Sequence, residues 1–363
     1  MEKFDTDIKQ AAVECIERHI PFCLFAMPGA DIAPRFFANP GGGDIDATEQ
    51  IDIIDWLQPA KSAVAVKAEM DARQLLQSLP PYRPDTSPAP WHTSTPKKQY
   101  LERLSQLIMS FENNDISKVV VSKTKVLENQ SLTPAAIVDV AGNIFAAYPH
   151  AFRFLYHTPS TGLWLGASPE LLADYDTLTG TLHTMALAGT RTDSHSPQEP
   201  WHTKDIEEQK IVTMFIAGEL IKAGFDVECA APATLSTGRL QHIATRITAT
   251  YSTRPVPTAS EVIDLLNPTP ALCGMPRQAA AEAIGRIEDH PRRCYGGVLA
   301  HREGTHLRAF VNLRCAHLAP HRVCLYAGGG IISRSVAEEE WEETENKVNG
   351  ILKFFNSESV RQR

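Results

Sequence analysis

The sequence predicts large, mostly antiparallel β-sheets with helices packed outside them. Apolar segments of strand length follow one another through short turns, and segments of helical period separate groups of them. The chain has 363 residues, of which 43% are hydrophobic and 21% charged. That is enough to bury a sizeable core in one large domain or two ordinary ones.

Before residue 80, segments such as 21–26 read as short strands. Residues 80–96 hold six prolines with little apolar periodicity and read as an irregular connection. Over 97–113, Tyr100, Leu101, Leu104, Leu107, Ile108 and Phe111 recur at helical spacing. Strands are then expected over 118–126, 151–157, 162–166, 183–187, 295–301, 306–311 and 323–327. Helices are expected over 133–141, 204–222, 260–266, 277–287 and 338–355. No internal repeat or low-complexity tract is present.

The formal net charge is −8, from 35 basic and 43 acidic residues. This argues against a nucleic-acid-binding surface as the main function, while leaving room for a local basic pocket. No run approaches a membrane span, and the charged start MEKFDTDIKQ does not read as a signal peptide. The seven scattered cysteines form no CxxC pair, so reduced, packing thiols in a cytoplasmic protein are expected.

Several residues stand out chemically, each with an ordinary structural reading beside it. Lys118 opens a strand, sharing a face with Val120 and Ser122; such a lysine usually reaches solvent, but if buried it becomes a base near neutral pH. Glu170 follows a strand and a Ser-Pro turn, either as a helix-N-terminal carboxylate or as a proton donor in an apolar pocket. Glu208 lies in line with Val212, Phe215 and Glu219 on one helix, so it must be paired, protonated, metal-bound or just outside the buried stripe. Arg314 reads as a strand arginine among apolar neighbours, suited to bidentate carboxylate binding. In the stretch GGGIISRSVAEEEWEETENK, a strand ends in three glycines that would let backbone N–H groups approach a ligand. The acidic helix after it places Glu340, Glu343 and Lys347 on one side and Trp341, Val348, Leu352 and Phe355 on the other. Its polar side faces either water or a site. Two helical glutamates far apart in sequence, Glu208 and Glu343, could supply oxygen ligands to a magnesium ion.

Together, SKVVVSK, GASPELL, LAGTR, KDIEEQKIV, LQHIAT, NPTPALCGMPR, RRCYGGVLAH, VNLRCA and AGGGII…EEEWEETENK resemble the chorismate-utilising enzymes, and within them the isochorismate synthases, in order and approximate spacing. The resemblance runs over about 97–356, the expected chorismate-binding catalytic core, with 1–96 as a variable N-terminal part completing the fold. It implies an α+β fold of two packed antiparallel β-sheets flanked by helices. It also implies roles: Lys118 activating the attacking water, Glu170 protonating the departing hydroxyl, and Glu208 and Glu343 binding Mg2+ with Glu340 close by. Gly189, Thr190, His242, Ala271, Tyr295, Arg314, Gly328 and Lys347 fall at substrate-binding or pocket-wall positions.

Departures within the family narrow the subtype. Ala188 stands where the aminodeoxychorismate-forming branch has a nucleophilic lysine, and Lys118 is absent from the ammonia-using anthranilate branch. Salicylate synthases, which add a pyruvate elimination, share Lys118 and Glu170 but resemble one another in a threonine at the position of Ala271. The expected activity is magnesium-dependent conversion of chorismate to isochorismate, feeding menaquinone or catechol siderophore synthesis, with salicylate synthase as the alternative. Chorismate is the expected partner, with no nucleic acid or membrane, and a monomer is expected.

Overall fold

Apolar residues on both sides of a strand require cover on both faces, and the long runs in this chain receive it. The computed structural model describes residues 4–41, 47–113, 115–128, 132–192, 196, 198–237 and 240–355. Two antiparallel sheets stand face to face. The first runs β13 (Gly274–Met275), β5 (Lys118–Glu128), β17 (Arg322–Ile331), β16 (Cys315–Ala319), β7 (Gly162–Ser168), β6 (Phe152–Thr158), β1 (Phe22–Ala26) and β2 (Arg35–Ala38). The second runs β10 (Asp226–Cys229), β12 (Leu240–Thr250), β9 (Thr181–Thr192), β8 (Leu171–Asp176), β15 (His306–Val311), β14 (Val298–Glu303), β3 (Glu49–Ile54) and β4 (Val64–Lys67), with β11 (Ala233–Thr237) paired to β12.

Period-two alternation assigns each strand's side chains to two layers. From β1, β6 and β17, the residues Cys23, Phe25, Phe152, Phe154, Tyr156, Cys324 and Tyr326 point into the layer between the sheets, where they meet Ile51, Ile53, Leu299 and Phe310 of the second sheet. Their neighbours Phe22, Leu24, Leu155, Val323 and Leu325 point outward. There they pack under α1 (Thr6–Arg18), α2 (Ala72–Gln77), α4 (Pro134–Ala147) and α8 (Ala337–Leu352). The outer face of the second sheet is covered by α5 (Thr203–Lys222) and α6 (Ala259–Leu266). Val119, Val121 and Ile331 pack against α3 (Lys97–Ser110) and α7 (Arg277–Ile287).

The architecture is the expected α+β arrangement, with differences in detail. The first ninety-six residues include helices α1 and α2 beside their strands; α1 buries only Ala11, Ala12 and Cys15, too small a stripe to announce itself. Tyr295 lies in a turn, and its strand begins at Val298. Arg314 is not on a strand: it occupies a bend at φ 47°, one residue before β16. The three glycines do not follow a strand but continue β17, with Gly328 opposite Ser122 and Gly330 opposite Val120. No helix follows Glu170, which sits between β7 and β8 where the chain passes from one sheet to the other.

Phe152 and Phe310 join the sheets directly, their rings parallel within 3° at a centroid distance of 4.5 Å. Truncation of a buried aromatic at such a contact typically costs about 3–5 kcal/mol. Phe310→Ala is expected to lower the unfolding free energy by that amount in urea titration; a loss below about 1 kcal/mol would show that the inter-sheet layer is not tightly packed there.

Candidate active site

Side chains from both sheets and two helices converge on one cavity. Its wall includes Val120 on β5, Gly189 and Thr190 on β9, Glu208 on α5, His242 on β12, Gly328 and Gly330 on β17, and Glu343 and Lys347 on α8. Glu170, Ala271, Tyr295 and Arg314 complete it from the connections between elements.

Lys118 starts β5 with its side chain fully buried, and its Nζ lies 2.8 Å from Glu208 Oε1. The pair is ionic in distance, although the ammonium lacks an aligned hydrogen bond. Gly330 makes this approach possible: a Cβ there would stand 2.2 Å from Glu208 Oε1 and 2.8 Å from Lys118 Cε. The glycine run therefore admits side chains to the site, rather than simply baring N–H groups to a ligand. Burial pushes the Glu208 carboxyl up, but Lys118 first, then Lys347 and Lys204, hold it below the ordinary carboxylate range. Glu208 is thus ionised.

Glu170 behaves oppositely. Burial raises its pKa to about 7 against the smaller opposing pull of Lys118 and Lys347. The connection that carries it is pinned, since Val311 N donates to Glu170 O at 3.1 Å. One cavity therefore holds a carboxyl group that keeps its proton near neutral pH and another that does not.

Across the cavity, His242 Nδ1 donates to Gly189 O at 3.1 Å, leaving Nε2 to accept from Arg314 Nη2 at 3.0 Å. Burial, then Arg314 and Lys347, pushes the imidazole well below its ordinary value. It is neutral and fixes the guanidinium. Burial also lowers Arg314, to about 10, which leaves it charged at neutral pH. Gly189 has φ 72°, and a Cβ there would meet Asp205 Cβ at 2.9 Å, so β9 passes close to α5 at this point. Tyr295 stacks on Tyr326 at 5.4 Å, with its hydroxyl under Gly328. Ala271 N donates to Thr269 Oγ1 at 3.2 Å.

The acidic side of α8 turns toward the protein. Lys347 Nζ donates to Glu343 Oε1 at 2.7 Å and to Gly328 O at 2.9 Å. Glu340 is buried behind Gly329, away from the cavity wall, and its Oε1 accepts from Lys204 Nζ. Burial, reinforced by Glu343, raises its pKa. Its Oε2 is buried with no hydrogen-bond partner. An oxygen-only donor set with one orphaned carboxylate oxygen suits a hard divalent cation that keeps several waters. Among the described residues, the clusters whose donor atoms all lie within 4.8 Å of one another are elsewhere. Glu208, Glu340 and Glu343 are instead each held by a lysine.

Sequence reasoning passed over Lys204, Asp205 and Arg292. Asp205 is raised to about 6 by burial and by Glu208. Arg292 lines the cavity but is committed to Glu288, Leu272 O and Val120 O. Lys204, Asp205 and Glu208 share one short segment, and that local density of charge on a helix with buried apolar residues was the available signal.

The Glu170 carboxyl ionises at about 4.5 when exposed and about 7 in the fold. The native state thus binds this proton more tightly. Its contribution is fully present below pH 4.5 and is lost as pH rises through 7. Glu170→Gln, which cannot ionise, is expected to melt at higher temperature than the wild type at pH 8, with the gap closing by pH 4. A gap independent of pH would mean that Glu170 titrates as an ordinary carboxylate.

The vibriobactin-specific isochorismate synthase of Vibrio cholerae is 28% identical over 269 residues, covering 70% of this chain and 66% of that protein. The isochorismate synthase EntC of Escherichia coli is 29% identical over 251 residues, covering 66% and 62%. The matches thus span less than two thirds of these relatives' length. Among solved structures, the menaquinone-specific isochorismate synthase MenF of Escherichia coli superposes with TM-score 0.75 at 19% identity, covering 97% of this chain and 92% of that one. Anthranilate synthase component I of Streptococcus pneumoniae superposes with TM-score 0.63 at 14% identity, covering 91% and 92%. Both show the same fold. The family model for chorismate binding enzymes matches residues 51–356, and the chain belongs to that family.

Proposed function

We propose that this chain is an isochorismate synthase, which converts chorismate to isochorismate by adding water at C2 and releasing the C4 hydroxyl. The observation that carries the reading is a proton-bearing glutamate on the wall of a cavity that also holds Arg314 and Lys347, with Lys118 buried directly behind Glu208 of that wall. The isochorismate synthases among its relatives support the choice within the family.

Chorismate carries two carboxylates. Arg314, held by neutral His242, offers a planar pair of donors to one of them, and Lys347 adds a second positive charge at the cavity wall. Lys118 acts in its unprotonated amine form, reached by giving up its proton once Glu208 is no longer its ion-pair partner, and takes the proton of the water that attacks C2. That proton passes to solvent, and Glu170 is reprotonated before the next turnover. Glu170, protonated up to about pH 7, gives its proton to the oxygen leaving C4. One water enters and one leaves, so the net change is an isomerisation. Tyr295, Ala271 and Gly189 wall the ring, while Gly328 leaves room for the Tyr295 hydroxyl. Ala188 offers no nucleophile on this wall, which disfavours a covalent route.

Glu208 and Glu343 are the proposed magnesium ligands, with Glu340 behind them. When bound there, the ion supplies positive charge against a substrate carboxylate. The three lysines that pair with these glutamates in the structure hold the carboxylates in place meanwhile.

Incubation with chorismate and Mg2+ is expected to give isochorismate as the main product by chromatography; dominant salicylate and pyruvate would overturn the assignment. Lys118→Ala and Glu170→Gln are each expected to lower kcat about 10²–10⁴-fold, and near-wild-type turnover in either variant would remove its assigned role. Chelation is expected to abolish turnover and added Mg2+ to restore it. Glu343→Gln is expected to raise the Mg2+ concentration needed for half-maximal rate, and turnover indifferent to chelator would exclude the metal.

A further inference from the structure

We propose that His19, Asp85 and His157 form a binding site for an imidazole-preferring divalent transition ion such as Zn2+, remote from the active site. One donor atom from each residue lies within 4.8 Å of the other two. The three come from separate parts of the chain: the C-terminal cap of α1, the proline-rich connection, and β6 of the first sheet.

His157 is the fixed ligand. Its ring is buried, with Nδ1 donating to Ile20 O at 3.3 Å, so the lone pair of Nε2 is directed toward Ser87 Oγ at 2.9 Å. A backbone carbonyl on the far nitrogen is the usual device for aiming a histidine at a metal. His19 and Asp85 are the partly exposed ligands, with side chains 30% and 48% exposed; Asp85 Oδ1 accepts from Ser87 N at 2.9 Å, and an ion would displace the Ser87 hydroxyl from His157 Nε2. His19 Nδ1 and Asp85 Oδ1 stand 3.9 Å apart, too far for a hydrogen bond. The imidazole centroids of His19 and His157 are 6.0 Å apart. Around a tetrahedral zinc ion, donors at about 2.0–2.1 Å from the metal sit roughly 3.3 Å from one another. The donor atoms therefore have to close by at most about 1.5 Å around the rigid histidine.

Two imidazoles and one carboxylate favour zinc, copper or nickel over magnesium or calcium. In the other convergent cluster, Glu49, His301 and Glu303, a guanidinium already occupies the carboxylates. Arg35 lies 2.5 Å from Glu49 and 3.5 Å from Glu303, and His301 Nε2 is already 2.6 Å from Glu49 Oε1. At His19, Asp85 and His157 an ion would cross-link the first helix and the connection to the sheet. It would stabilise the folded state through its binding free energy.

The test uses the full chain stripped of metal by chelation, titrated calorimetrically with Zn2+ in excess Mg2+. The expected result is one zinc per chain and a rise in melting temperature, with affinity lowered at least about tenfold in His19→Ala and Asp85→Asn and lost in His157→Gln. Both partly exposed positions allow the test even if His157→Gln fails to fold. Co2+ in place of zinc is expected to show visible d–d bands without a thiolate charge-transfer band. Zinc uptake equal in the wild type and in His19→Ala, no uptake at all, or a thiolate band pointing to a cysteine such as exposed Cys229, would each overturn the proposal.

Discussion

The site depends on the burial of the Lys118 ammonium against Glu208. Removing a charge from water costs several kcal/mol unless a partner compensates it, and Lys118 has no exposure at all. The pairing therefore requires α5 to dock where Glu208 reaches the first residue of β5. It equally requires nothing larger than hydrogen at Gly330, on the strand beside β5. Packing supplies the rest. Val212, Ile216 and Leu220 bury the far part of α5 against the second sheet, so the helix that brings the carboxylate is held by apolar contacts rather than by the ion pair.

Around that pair the charges are matched one to one. Glu208 has Lys118, Glu340 has Lys204 and Glu343 has Lys347, while Glu170 is kept protonated by burial and Arg314 is steadied by an uncharged histidine. Such a cavity gains little from a dianion alone, since most of its cations are already engaged. A dianion arriving with a divalent cation adds no net charge. Each lysine can then keep its glutamate or share it. On the proposed function, this balance is what lets a protein of net charge −8 take an anionic substrate together with its cation.

Much of this could be seen in the sequence, though not all of it. Alternation correctly separated Lys118 and Val120 from Val119 and Val121, because β5 is a regular strand with different neighbours on its two faces. The later helices and several strands were legible for the same reason, long runs with a clear period, whereas β8, β10, β11, β12 and β16 were not among the expected strands. Arg314 was not. Its neighbours look strand-like, and only tertiary hydrogen bonds place it in a left-handed bend. Lys204 was missed because a basic residue announces its partner only when the partner is local, and Glu340 lies 136 residues away. Arg292 has a local partner in Glu288, but its cavity position depends on distant Leu272 O and Val120 O. Gly330 was read for its backbone, whereas its importance lies in the space left for two side chains from distant segments.

The positions of Glu170 and Arg314 follow from topology. Glu170 lies on the connection from β7 of the first sheet to β8 of the second, and Arg314 on the connection from β15 of the second sheet to β16 of the first. The two crossings run side by side, stitched by Val311 N to Glu170 O at 3.1 Å and by Ala167 N to Arg314 O at 3.2 Å. A strand directs side chains to one face or the other, but a crossing can aim them along the gap between sheets, where the cavity lies. The hydrogen bonds that satisfy the backbone there also remove its freedom. Glu170 and Arg314, the proposed acid and the proposed anion-binding residue, are thus held by main-chain geometry at the two places where the chain leaves one sheet for the other.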